Sequence, residues 1–277
     1  MLGCSREALF AATPSGARFC LITRPVGPAK GMVLFAPPFA EELNKSRRMV
    51  ALAARAFAAE GWAVLQIDLL GCGDSAGDFG QASWQAWIDD LAFGWRFLRE
   101  RYGRDLPGVV WSLRSGSLLV SDLLAESGLS PHWLMWQPVT NGKQHLTQFL
   151  RLSVASEMLS DGDARTAMKR IRSRLEQEAS VEVAGYEVSP GLASAMDTAS
   201  LRVPTGYGGR VAVMEMSTAE PVTISPATTT AAAKWAASGV NVESHAVRGA
   251  AFWQTQEIEV APAVIESSVL FLRDLAA

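Results

Sequence analysis

Cysteine is scarce in this chain of 277 residues: Cys4, Cys20 and Cys72 are the whole supply. Three widely separated thiols form neither a disulfide framework nor a metal knuckle, and a reducing, cytoplasmic compartment is expected. Histidine is as rare, at three residues, so base chemistry has few places to reside. No stretch reaches the roughly 18 continuous apolar residues of a membrane span. Met1-Leu2-Gly3-Cys4 has the outline of a lipoprotein signal's end, but without a basic or apolar region before it, and lipid attachment is not expected. Neither sign of charge dominates. The net charge of -3 argues against nucleic acid and against an anionic membrane surface as partners. Internal repeats and low-complexity tracts are missing too.

What is present is apolar material: 49% hydrophobic against 19% charged residues, enough for one large core. Arg18 to Thr23 reads as a strand, and Gly31 to Ala36 is a continuous apolar run, as in a strand buried on both faces. Ser46 to Glu60 follows with a helical period, placing Met49, Val50, Leu52, Ala53 and Phe57 on one face. The alternation continues with strands at Trp62 to Asp68, Gly108 to Trp111 and His132 to Trp136, separated by helices at Ser83 to Tyr102 and Gly116 to Glu126. From Lys143 to about Ser200 the rhythm breaks into helical segments with no convincing strand. It resumes with strands at Arg210 to Met216 and Asn241 to Val247, and helices at Thr228 to Ser238 and Pro262 to Leu275.

Strands alternating with helices imply an α/β fold with a mostly parallel, doubly wound sheet. In such a sheet ligands bind beyond the carboxyl ends of the strands. The order of the segments there resembles the α/β-hydrolase fold. Phe35 to Phe39 stands at the oxyanion loop, and Asp68-Leu69-Leu70-Gly71-Cys72-Gly73-Asp74-Ser75 resembles the turn after the next strand. That turn contains a G-x-G without the third glycine of a dinucleotide site, so no cofactor is expected, and no metal. The expected layout is a core of residues 1–141 and 206–277 with a helical cap at 142–205.

The nucleophile elbow of that fold reads small-x-nucleophile-x-small between a buried strand and a helix. Here it reads Ser112-Leu113-Arg114-Ser115-Gly116, with Arg114 at the apex. A guanidinium stays protonated and is no nucleophile. The loop after the last strand carries Phe252 where a histidine belongs. His245 lies inside that strand, where a buried structural role is expected. His132 begins a strand and His145 begins the cap, neither at a triad position. The acid position offers Glu215 or Glu220.

Longer strings resemble one family, the exosortase A system-associated hydrolases, type 2. They are Ala36-Pro37-Pro38-Phe39-Ala40-Glu41-Glu42-Leu43-Asn44-Lys45-Ser46-Arg47-Arg48, Ser112 to Leu119, Trp136 to Val139, Gly142 to Gln144 with Gln148 to Arg151, and Phe252 to Ile258. Ser115 and Ser117 depart from the small residues expected there. The resemblance implies a link to exopolysaccharide production and PEP-CTERM protein sorting, with exopolysaccharide-system proteins as partners.

The site residues expected from these readings are Arg114, Phe39, Glu42, Asn44, Phe252, Trp253 and Gln254, lining a pocket for a small anionic or acyl ligand. Arg114 is expected to meet either that ligand or an internal carboxylate, Glu42 first among them. The alternative is an ester or thioester hydrolase with Ser115 as catalytic nucleophile.

Overall fold

The computed structural model describes residues 3–157 and 163–276. The start of the lipoprotein-like motif and the charged stretch's beginning at Asp161 lie outside these residues. The core strands are β3 (Gly31–Ala36), β4 (Trp62–Ile67), β5 (Gly108–Leu113), β6 (His132–Trp136), β9 (Val211–Ser217) and β10 (Val242–Arg248), all mutually parallel. An antiparallel hairpin, β1 (Cys4–Thr13) with β2 (Gly16–Pro25), extends the sheet on one side. The strand order is β1-β2-β4-β3-β5-β6-β9-β10. The expected parallel, doubly wound sheet is therefore present.

Every residue of β3 and β5 is buried, which is why their sequences run apolar without alternation. Helices α1 (Glu41–Ala59) and α8 (Pro262–Ala276) cover one face, over Trp111 and Trp136, with Phe57 of α1 packed edge-on against Trp111. Helices α2 (Trp84–Tyr102), α3 (Gly116–Ser127) and α7 (Pro226–Ala237) cover the other. The chain winds away from β3 in opposite directions, since β4 and β5 flank it. A crevice opens at such a reversal, between the carboxyl ends of β3 and β5.

Between β6 and β9 lie helices α4 (Gly142–Glu157), α5 (Ala164–Glu176) and α6 (Pro190–Thr198), with a small hairpin of β7 (Val181–Val183) and β8 (Tyr186–Val188). The hairpin corrects the expectation of helices alone. Its turn is Ala184-Gly185, both at positive φ, and alanine there hides the Asn-Gly signal that usually marks a two-residue turn. The stretch is closed at its base. Gly142 N–H donates to Ala199 O at 2.9 Å, and Leu201 N–H donates to Thr140 O at 3.1 Å.

Two other elements differ from the sequence reading. β1 has only Ala11 buried, so it left no hydrophobic pattern to read. Helix α1 starts at Glu41, five residues ahead of the expected Ser46, and Ala40 before it offers no side-chain cap that would mark the start. That shift matters, since it winds Glu41 and Glu42 into the first turn, where carboxylates favour the helix dipole.

Candidate functional site

Arg114 stands between β5 and α3 at φ 53°, a left-handed conformation that costs a non-glycine residue about 1–3 kcal/mol. Its backbone is held on three sides. The N–H donates to Trp136 O at 3.0 Å, and the carbonyl accepts from Ser117 N–H at 3.1 Å and Val139 N–H at 3.2 Å. Two residues on, Gly116 brings α3 against β3 so closely that a Cβ would sit 2.4 Å from Ala36 O. The strained strand-turn-helix of an elbow is thus present, with Arg114 at its tip.

The side chain has found a carboxylate. Arg114 Nε–H donates to Glu42 Oε1 at 3.1 Å, and its Cζ lies 5.2 Å from the centre of the Trp253 ring, within cation–π range. Burial pushes the Glu42 carboxyl up to about 7, against the opposing pull of the Arg114 charge and hydrogen bond. Glu42 Oε2 faces a residue that the sequence reading left unassigned: His145 Nε2 lies 4.0 Å away. His145 comes from the first turn of α4 and is only 6% exposed. Burial, helped by the Arg114 charge, lowers its pKa to about 3, so the imidazole is neutral and the contact is not an ion pair. Nothing in the local sequence marks His145, because the inserted stretch brings it over the elbow from outside the sheet.

Ser115 points elsewhere. It is 3% exposed, and its Oγ accepts the Phe39 N–H at 2.9 Å. The backbone donor of the loop after β3 is therefore already used. The apolar slot beside Ser115, lined in part by Phe39, Leu119 and Met196, holds about 10 Å³. The other serines of the elbow are also engaged. Ser112 Oγ lies 2.9 Å from Ser117 Oγ and accepts Trp133 Nε1–H at 2.9 Å.

On the other side of the elbow a cleft of about 190 Å³ opens. Helix α1 contributes Glu41, Glu42 and Lys45, helix α4 contributes His145, Gln148, Phe149 and Leu152, and the loops contribute Phe39, Trp253 and Gln254. Of the residues expected to line a pocket, Phe39, Glu42, Trp253 and Gln254 do so, while Arg114 does not and reaches the cleft only through its contacts with Glu42 and Trp253. Phe252 does not: it is 1% exposed and packs edge-on against Trp136 and Trp253 in the core. Asn44 is turned outward, donating from Nδ2 to the Tyr186 hydroxyl at 3.0 Å.

The remaining acid and base candidates have other duties. Glu215 is buried and accepts from Ser225 N–H at 2.6 Å and from the Thr228 hydroxyl at 2.6 Å, fixing the start of α7. Glu220 pairs on the surface with Arg248. His245 is not buried as expected. It lies on the edge strand β10, exposed, with Nε2 3.5 Å from Glu243 Oε2. His132 Nδ1 accepts the Arg210 N–H at 3.1 Å.

No protein-family model matches the chain. A search of curated proteins finds no match either. Solved structures do match. Est1E from Butyrivibrio proteoclasticus, solved with ferulic acid, is 13% identical with a TM-score of 0.67, over 97% of this chain and 99% of that one. A thermostable carboxyl esterase from Bacillus coagulans is 13% identical with a TM-score of 0.64, over 100% of both chains. XC6422 from Xanthomonas campestris, described as an α/β serine hydrolase without lid, is 13% identical with a TM-score of 0.57, over 98% of this chain and 93% of that one. Likeness at such identity speaks of architecture, and the chain has the α/β-hydrolase fold.

Proposed function

We propose that this protein is a ligand-binding member of the α/β-hydrolase superfamily with a degenerate triad, serving an exopolysaccharide and PEP-CTERM sorting system. The observation that carries the reading is the state of the elbow. Arg114 occupies the apex, and the neighbouring Ser115 Oγ accepts the Phe39 N–H at 2.9 Å. A serine nucleophile needs a base in hydrogen-bond reach and an oxyanion donor free to serve the substrate. Ser115 has neither among the described residues. The link to exopolysaccharide systems is supported by the long strings around Glu42 and Phe252.

The ligand occupies the cleft between α1 and α4. Two features narrow the anionic or acyl ligand expected from the sequence. The Arg114 charge is met by Glu42 at 3.1 Å, which takes the anion's place. The slot beside Ser115, at about 10 Å³, has no room for an acyl chain.

The test is a fluorophosphonate probe combined with p-nitrophenyl ester hydrolysis. Ser115 should remain unlabelled, and turnover should equal the buffer blank. Labelling confined to Ser115, lost in Ser115→Ala together with turnover, would establish the alternative of ester or thioester hydrolysis.

A further inference from the structure

The cleft residues can be sorted by what they offer a visitor. Eleven buried side-chain nitrogen and oxygen atoms lack a hydrogen-bond partner among the described residues, and five of these belong to residues lining this one cleft. They are Glu41 Oε2, Glu42 Oε2, His145 Nδ1, His145 Nε2 and Trp253 Nε1. A buried polar atom left unpaired costs about 1–3 kcal/mol, and folded proteins seldom leave several together. The neutral imidazole supplies one donor and one acceptor, the carboxyls supply acceptors, and the indole supplies a donor.

That mixture selects the visitor's chemistry. An anion would meet Glu41 and Glu42. A cation would meet Lys45, with Arg114 behind it. An acyl chain would leave every orphan unpaired. Hydroxyl groups both donate and accept, so a neutral group bearing several of them matches the mixed donors and acceptors that these lining residues carry. The 4.0 Å between Glu42 Oε2 and His145 Nε2 is too long for a direct hydrogen bond. It sets an acceptor beside a ring nitrogen, as two neighbouring hydroxyls require. Phe39 and Phe149, in edge-to-face contact at 4.9 Å, add an apolar wall for a ring's C–H face. The volume of about 190 Å³ is below the range of about 300–1,000 Å³ used for drug-sized ligands, and it suits one ring.

We infer that the cleft is a subsite for a single neutral polyhydroxylated ring, a monosaccharide unit, gripped between Glu42 on α1 and His145 on α4. This inference rests on the ligand-binding reading above and names its ligand class.

Calorimetric titration of the full chain tests it, with D-glucose, D-mannose and N-acetyl-D-glucosamine as neutral probes, and D-glucuronate, D-glucosamine and octanoate as charged and acyl ones. At least one neutral sugar should bind. His145→Phe and, separately, Gln148→Leu should each weaken it by about tenfold or more, with folding checked by thermal unfolding. Binding of only the charged or acyl probes overturns the sugar inference and leaves the ligand-binding reading standing. Sugar binding unchanged in both variants moves the sugar elsewhere and overturns the site. No binding of any neutral sugar at millimolar concentration also overturns it. Ser115-specific fluorophosphonate labelling separately sinks the reading beneath it.

Discussion

The two sides of Arg114 are built from the same loops yet differ in every physical respect. Towards α3, the slot holds about 10 Å³, and the Ser115 hydroxyl is satisfied by the Phe39 N–H. Towards α4, the cleft holds about 190 Å³, and its buried polar atoms wait unpaired. The inserted stretch reaches both sides, with Met196 at the slot and His145 at the cleft, so the contrast lies in the volume left open and in the hydrogen bonds made.

The contrast depends first on the Arg114–Glu42 pair at the boundary. Arg114→Leu leaves a buried carboxylate without its partner and should cost about 3–5 kcal/mol of stability at pH 8 by urea denaturation. The loss should shrink at pH 5, because Glu42 is then below the value of about 7 to which burial lifts it. An undiminished loss at pH 5 would mean that packing on Trp253, rather than charge, sets Arg114's contribution.

His145 gives the next largest effect, and it runs with pH. Its folded-state value of about 3 lies below the ordinary 6.5, so the unfolded chain takes up the proton first as pH falls. The stability His145 contributes is complete above 6.5 and is lost as pH falls towards 3. Glu42 has the opposite sign: raised from 4.5 to about 7, it contributes stability present below 4.5 and lost as pH rises to 7. Between 4.5 and 6.5 the two slopes oppose each other. His145→Gln removes one of them. Relative to wild type, that variant should gain stability as pH falls from 6.5, on the order of 4 kcal/mol by pH 3. Parallel stability curves for the two proteins would show that His145 titrates normally and is not enclosed.

The smallest effect belongs to the closed side. Ser115→Ala strands the Phe39 N–H and should cost about 1–2 kcal/mol in thermal unfolding, with ester turnover staying at the blank. Ester turnover by the wild type that Ser115→Ala abolishes would reverse the assignment of the two sides.

Much of this was legible in the sequence, for reasons that explain the failures. Strands buried on both faces must run apolar, so Gly31 to Ala36 and Gly108 to Leu113 declared themselves. The elbow was readable because Gly116 and Ser112 leave Arg114 as the apex, and Glu42 was readable as its partner. Elements that bury little, such as β1, carry no pattern. The cap residue of α1 is an alanine, and the turn of the small hairpin is Ala-Gly, so neither carried its usual marker. Phe252 was expected to line the pocket and packs in the core instead, since spacing does not say which way a ring turns. His145 was beyond local reading altogether, because its neighbours Glu42 and Arg114 come from distant segments.

The hydrogen bonds from Gly142 to Ala199 and from Leu201 to Thr140 mean that the chain leaves the core and re-enters it at nearly one point. Between those residues the stretch also packs on the core, through Tyr186 on Asn44 and Ser189 on Ala82 O. Doubling the length of such an excursion adds only about 0.6 kcal/mol of closure entropy. The cleft is thus divided along the chain: His145, Gln148 and Phe149 belong to the stretch, while Glu42 and its partner Arg114 belong to the core. Part of the cleft's lining comes with that stretch, and the rest comes with the core.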